Sequence, residues 1–175
     1  MLSAKITIRR YDILKKKKVQ KTNAMRQLDK EKIPYLIHEY AWSEDHKDTD
    51  RSVDTLEVSE QIIFKTLVAV GNITGPIVAC IPAKKELDLK ALARESGNKK
   101  VDMLHMKDLE KTTGYIRGGC SPIGMKKNFP TFIAIEAKSL DKMVVSAGKR
   151  GMQVEVTPDD LLSITNGSLV DITDK

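Results

Sequence analysis

Apolar residues recur along this chain at two spacings. At helical spacing, Ala24, Met25 and Leu28 share one face of a short helix over residues 22–32 that Pro34 stops. Leu89, Leu92 and Ala93 do the same between an Asp88 cap and a Gly97 stop. Thr157-Pro-Asp-Asp160 is a capping box with proline at the first helical position, and it opens a helix that Gly167 ends. Residues 53–60 suggest another short helix with Leu56 and Val58 inward, and residues 106–111 a helical turn or two. Shorter apolar runs over residues 35–40, 101–104, 131–135, 143–146, 152–156 and 169–172 read as strands. The clearest pair is 62–70 and 76–82, two apolar runs joined by Gly71-Asn-Ile-Thr-Gly75, which predicts a hairpin. Strands outnumber helices and several are joined by short turns. The pattern therefore predicts an α+β fold with a mixed, largely antiparallel sheet flanked by helices.

Between these elements, residues 43–54 are polar and densely charged, as expected of a mobile surface loop. The chain has 175 residues, enough for one domain with a real core. Its 30 Lys and Arg outweigh 24 Asp and Glu, for a formal charge of +6, which favours a polyanionic partner. Nine of those cations fall in residues 1–26, beside a single acid, Asp12, so residues 1–21 read as a basic, solvated extension of a domain over 22–175. An RNA-binding arm or a transit peptide is the sharper alternative for that stretch. No apolar run approaches the roughly 20 residues needed to span a bilayer. Cys80 and Cys120 stand forty residues apart, with no Cys-x-x-Cys and no paired His. Neither a disulfide framework nor a zinc site follows, and a soluble, reducing, cytoplasmic setting fits best. The three histidines, His38, His46 and His105, are isolated and read as structural or surface residues.

One stretch departs from the alternation of helix and strand. Residues 113–127, Thr-Gly-Tyr-Ile-Arg-Gly-Gly-Cys-Ser-Pro-Ile-Gly-Met-Lys-Lys, hold four glycines, a proline and three cations. This composition suits an irregular loop whose amides are open to an anion or oxyanion. Two motifs are excluded. Gly119 to Gly124 has a P-loop gap, but Met125 stands where the lysine belongs. Ser121 follows Gly119 at the spacing of a nucleophile elbow, but Ile123 occupies the place of the second glycine. Lys65, in the middle of an apolar strand, is either an outward side chain or a cation aimed rigidly into a pocket.

Phe64-Lys-Thr-Leu67, Thr113-Gly-Tyr115, Gly118-Gly-Cys-Ser-Pro-Ile-Gly-Met-Lys-Lys127 and Ser146-Ala-Gly-Lys-Arg-Gly151 occur in this order. Together they closely resemble the YbaK family of free-standing deacylases, relatives of the editing domain of bacterial prolyl-tRNA synthetase. The resemblance spans about residues 22–174. It implies a β-barrel-like mixed sheet and no metal or other cofactor. It also implies hydrolysis of mischarged aminoacyl-tRNA, chiefly cysteine on the proline tRNA, in trans to the synthetase. By position, Lys65 matches the family's functional lysine and Tyr40 a pocket tyrosine, while Gly118 opens a Gly-x-x-x-Pro loop that ends at Pro122. Four departures stand out: the 21-residue extension, Asn23 in place of a proline, the absence of the family's pattern across 42–57, and Cys120 where an aliphatic residue is usual.

The resemblance gives the residues roles. Amides of Gly118, Gly119 and Ser121 would stabilise a tetrahedral oxyanion without any side-chain nucleophile. A substrate cysteine would supply its own thiol, and Lys65 would hold the terminal ribose or phosphate. Lys126, Lys127, Lys149 and Arg150 would contact tRNA backbone, with Tyr115, Ser146 and Gly148 completing the binding surface. Aminoacylated tRNA is the expected partner, prolyl-tRNA synthetase a further one. The contrasting classes are a non-catalytic RNA-binding module, which rests on the basic balance alone, and a deacylase of the alanine-specific branch. Cys120 reads as a packing residue.

Overall fold

The computed structural model describes residues 8–9, 20–42 and 58–175, and arranges them as two sheets with four helices. In chain order the elements are β1 (Ile8–Arg9), α1 (Asn23–Lys30), β2 (Leu36–Glu39), β3 (Phe64–Gly71), β4 (Gly75–Pro82), α2 (Leu89–Ser96) and β5 (Val101–Met103). Then follow α3 (Leu109–Thr113), β6 (Thr131–Ala134), β7 (Met143–Lys149), β8 (Met152–Val156), α4 (Pro158–Thr165) and β9 (Ser168–Val170). The charged stretch 43–54, most of the helix expected over 53–60 and the lysine run 15–18 lie outside the described residues. From Val58 onward, the chain makes only a 3-10 turn over Glu60–Ile62 before entering β3.

The expected mixed α+β architecture is present. One sheet has the order β1-β2-β8-β7 and is antiparallel throughout. The other runs β5-β3-β4-β6-β9, with β6 parallel to both β4 and β9. The sheets meet where β3 packs on β7 and Ile63 makes an isolated parallel bridge with Val144. Hydrogen bonding does not close into a barrel among the described residues, so the implied barrel-like sheet is two packed sheets.

Their inner faces and helix α1 bury Met25, Leu28, Ile37, Ile77, Ile81, Ile133, Val145, Val154 and Leu161. Side chains alternate across a strand. Met152, Val154 and Val156 of β8 therefore enter this core, while Gln153 and Glu155 project from the opposite face, paired in register with Ser146 and Val144 of β7. The polar face of that hairpin is the one from which the site is built.

Local chemistry fixes the helix ends largely where the sequence puts them. Thr22, Asp88 and Thr157 each accept a hydrogen bond from the amide three residues on, and Gly97 takes the left-handed conformation. Helix α4 differs by one residue, because Asn166 rather than Gly167 adopts the positive φ. The β3–β4 hairpin is clasped from outside. Asn98 Oδ1 accepts from the amides of Ile73 and Thr74, while Asn72 Oδ1 accepts from those of Lys99 and Lys100. This reciprocal pair ties the turn to the segment leading into β5 and holds β3, the strand of Lys65, in its sheet. No helix among the described residues is long and apolar enough to cross a membrane.

Candidate active site

The glycine-rich stretch folds as a closed loop after α3. Thr113 Oγ1 donates to Leu109 O at 2.8 Å and accepts from the Tyr115 amide at 3.0 Å, and Gly114 ends the helix in the left-handed conformation. The Tyr115 hydroxyl then crosses the loop to Ile123 O at 2.6 Å, and the Lys126 amide closes its base on Thr113 O. Burial pushes the Tyr115 phenol well above its ordinary value, so it donates at any physiological pH. Ser121 Oγ accepts from the Ile123 amide at 3.2 Å and is fully buried. Tyr115 and Ser121 therefore shape the loop from within.

The first half of that loop opens on a cavity of about 280 Å3, walled on its other sides by β3, the β5–α3 segment, the β7–β8 hairpin and the chain leaving β2. Of the expected site residues, Lys65, Gly118, Tyr40 and Ser146 line it. Arg117, Cys120, Trp42 and Gln153 join them, and Phe64, Leu67, Val68, Leu104 and Leu109 supply the apolar wall. The other candidates lie elsewhere. Gly119 backs against the main chain of Lys149, and its amide is bonded to Ile116 O. Gly148 receives the Tyr115 ring edge. Pro122 and Lys127 border a separate shallow depression with Gln27, and Lys126 reaches toward Lys111 O. Lys149 is exposed outside the cavity.

Among the described residues lining the cavity there is no carboxylate and no imidazole. The Lys65 side chain is 15% exposed, and among the described residues its ammonium pairs with Glu86 at 3.9 Å, whose side chain is 79% exposed. So long and solvated an ion pair contributes little, and Lys65 is available to an anionic or polar ligand. Gly118 takes φ +83°, and no acceptor among the described residues receives its amide or that of Cys120. Both residues line the cavity. Burial pushes the Cys120 thiol up to about 12, with the neighbouring Thr113 hydroxyl opposing this in part. The thiol is protonated at neutral pH and is no nucleophile there. Among the described residues, no three His, Cys, Asp or Glu side chains cluster as a metal site.

Two lining residues escape the sequence reading. Gln153 is 7% exposed, and its Oε1 has no hydrogen-bond partner among the described residues. A buried amide oxygen left so costs roughly 1–3 kcal/mol. The available signal was a lone amide between apolar neighbours in a strand that pairs with Ser146. Trp42, the chain's single tryptophan, sits at the cavity mouth with the Arg150 guanidinium 4.2 Å from its ring centroid. Its only signal was that uniqueness, beside a segment whose charges drew attention away.

The comparisons with known proteins bear on the family and the fold. The family model for the aminoacyl-tRNA editing domain matches residues 43–164. A protein of Enterococcus faecalis, described as a candidate Cys-tRNA(Pro)/Cys-tRNA(Cys) deacylase, EbsC, is 61% identical over 161 residues. That match covers 92% of this chain and 98% of the relative. Among solved structures, a hypothetical protein, APE2540, superposes with a TM-score of 0.78 at 20% identity, over 87% of this chain and 100% of its own. A candidate trans-editing enzyme for prolyl-tRNA synthetase gives 0.74 at 19% identity, over 90% of this chain and 100% of its own. These two show the shared fold, and the sequence match carries the rest: the chain belongs to the aminoacyl-tRNA editing domain family.

Proposed function

We propose that the protein is a trans-acting deacylase that removes cysteine from tRNA, with mischarged Cys-tRNA(Pro) as its main substrate and the correctly charged Cys-tRNA(Cys) as a second. The observation that carries this reading is the cavity itself. It is lined by Lys65 and Gly118 beside an apolar wall, with no carboxylate, imidazole or thiolate among its described lining residues. An ester bond can be broken there by stabilising the oxyanion and positioning a nucleophile that the substrate brings. The 61% identity to a protein named for Cys-tRNA deacylation supports the choice of substrate.

In this reading, the amide at Gly118, with that of Cys120, donates to the carbonyl oxygen as it gains charge. The substrate's thiol loses its proton, and its sulfur attacks the ester carbonyl carbon. A carbon–sulfur bond forms, the carbon–oxygen bond to the terminal ribose breaks, and the proton goes to the ribose oxygen. The products are uncharged tRNA and a thiolactone, which water opens to cysteine. Lys65 holds the ribose or the adjoining phosphate. Ser146 and Gln153, the polar pair facing the apolar wall, take the α-amino group; Tyr40 flanks them. A synthetase such as the prolyl enzyme delivers the mischarged tRNA, and the cytoplasm is the compartment in which this chemistry is needed.

The decisive experiment is a deacylation panel with tRNAs charged with Cys, Ala, Ser and Pro. Cysteine should be released fastest, and much faster than serine, which differs only in oxygen for sulfur. Equal rates for cysteine and serine would end the substrate-thiol mechanism. Fastest release of alanine would reassign the substrate, and no release from any tRNA would leave a binding module.

A further inference from the structure

We propose that Trp42 and Arg150 form a stacking platform for the 3′-terminal nucleobase of the RNA, a recognition element separate from the groups that act on the ester. The identity of the ligand rests on the deacylase reading above; the geometry and the first test do not.

Trp42 follows β2 and lines the cavity mouth, and the Arg150 guanidinium lies over its ring. Arg150 is not a loose side chain. Its Nε donates to Arg117 O at 2.8 Å, which fixes the guanidinium against the glycine-rich loop, and no acceptor among the described residues takes its other N–H groups. The pair also touches the reacting end of the site. A Cβ added to Gly118 would stand 3.4 Å from Trp42 Nε1 and 3.5 Å from Arg150 Cγ and Nε. The indole and the guanidinium thus border the space left beside Gly118, and in this proposal the group esterified there emerges onto their surface.

Size separates what enters from what stays outside. At about 280 Å3 the cavity falls just below the ~300–1,000 Å3 typical of small-molecule sites. The aminoacyl ester is seated inside it with the ribose near Lys65, and the terminal base rests at the mouth, where a flat aromatic face backed by a fixed cation suits a nucleobase and Arg117 and Arg150 can meet a phosphate. A platform of this kind reads the presence of a base rather than its hydrogen-bonding edge.

Because Trp42 is the only tryptophan, its fluorescence reports this contact in the unmodified protein, without any catalytic step. Titration with the uncharged trinucleotide CCA should quench it, and the same trinucleotide with an abasic 3′ end should quench it far less. Equal quenching by the two, or no quenching by CCA where anisotropy shows it bound, overturns the proposal. In kinetics, Trp42→Ala should lose about 5- to 150-fold in kcat/KM on charged tRNA, mostly through KM. That loss should vanish when the terminal base is absent, and Trp42→Phe should recover most of it. An equal loss on the abasic substrate would make Trp42 merely structural. Quenching by CCA from a protein that deacylates nothing would sink the deacylase reading and leave the platform standing; deacylation without base-dependent quenching would do the reverse.

Discussion

The two halves of the glycine-rich loop share a vocabulary and differ in what they meet. Residues 117–120 hold one cation and two glycines, and Arg117, Gly118 and Cys120 border the cavity; residues 121–127 hold two cations and one glycine, and Gly124 meets the start of helix α1. In the first half, the space beside Gly118 is occupied by the side chains of Trp42 and Arg150, the mouth of the site. In the second, a Cβ on Gly124 would come within 2.8 Å of the Ala24 amide nitrogen, which is main chain and cannot move aside. Glycine thus permits close approach in both, to a ligand site in one and to the protein's own backbone in the other. Composition announces that something must come close, without saying what.

The sharpest way to break this comparison is to add side chains to both halves. Gly118→Val, at φ +83° and with its amide proposed to face the oxyanion, should lower kcat about 100-fold, the scale of losing one oxyanion donor. Gly124→Val should instead lower the melting temperature steeply, while the fraction that remains folded keeps near-normal specific activity. Measuring both quantities on both variants is the test. If Gly124→Val costs activity per folded molecule as Gly118→Val does, the halves do not divide the work.

Lys65 should fall next in size. It lies on a strand rather than in the loop and lacks a close ion pair among the described residues, so Lys65→Ala leaves no buried carboxylate stranded. Deacylation should drop about 10- to 100-fold, as for losing a hydrogen bond to a charged group, while the thermal midpoint barely moves. A large fall in stability would return Lys65 to a structural role.

The contrast also explains what could be read in advance. Helix caps were legible at Asp88 and Thr157 because a cap is local, a side chain bonding an amide three residues on, and Thr22, read as the first residue of its helix, is the cap of that helix. The hairpin 62–82 was legible for the same reason, two apolar runs across a glycine-bounded turn. The parallel placement of β6 between β4 and β9 was not, because those partners lie far apart in sequence and no turn joins them. In the site, Lys65 and Gly118 stood out, one as a charge in an apolar run and the other in an unusual loop. Gln153 and Trp42 did not, because their meaning depends on which face of β8 the cavity takes and on Arg150 reaching Trp42 from the β7–β8 turn, far away in sequence. Tyr115, Ser121 and Gly148 were marked for the ligand by their company in the motifs. The structure spends their polar groups and space on holding the loop.

Cys120 and Ser121 mark the boundary between the halves, and the smallest effects should come from them. Ser121→Ala removes one buried hydrogen bond, to the Ile123 amide, and should cost about 1 kcal/mol of stability with activity kept within a few-fold. Cys120→Ala should also remain active near neutral pH, because burial holds its thiol protonated. A covalent acyl adduct trapped on either residue would replace the substrate-thiol mechanism with nucleophilic catalysis. The thiol should show itself in stability instead. Its folded pKa of about 12 lies above the ordinary 9.0, so its contribution is intact below about pH 9 and is lost as pH rises toward 12, where the unfolded chain ionises first. Tyr115, raised for the same reason, adds to that loss. Cys120→Ala should therefore flatten the alkaline fall of the melting temperature, measured from pH 8 to 11, while leaving the neutral pH–rate profile unchanged. An alkaline slope identical to that of the parent protein would show that the thiol is not held in the folded state as the burial of Cys120 requires.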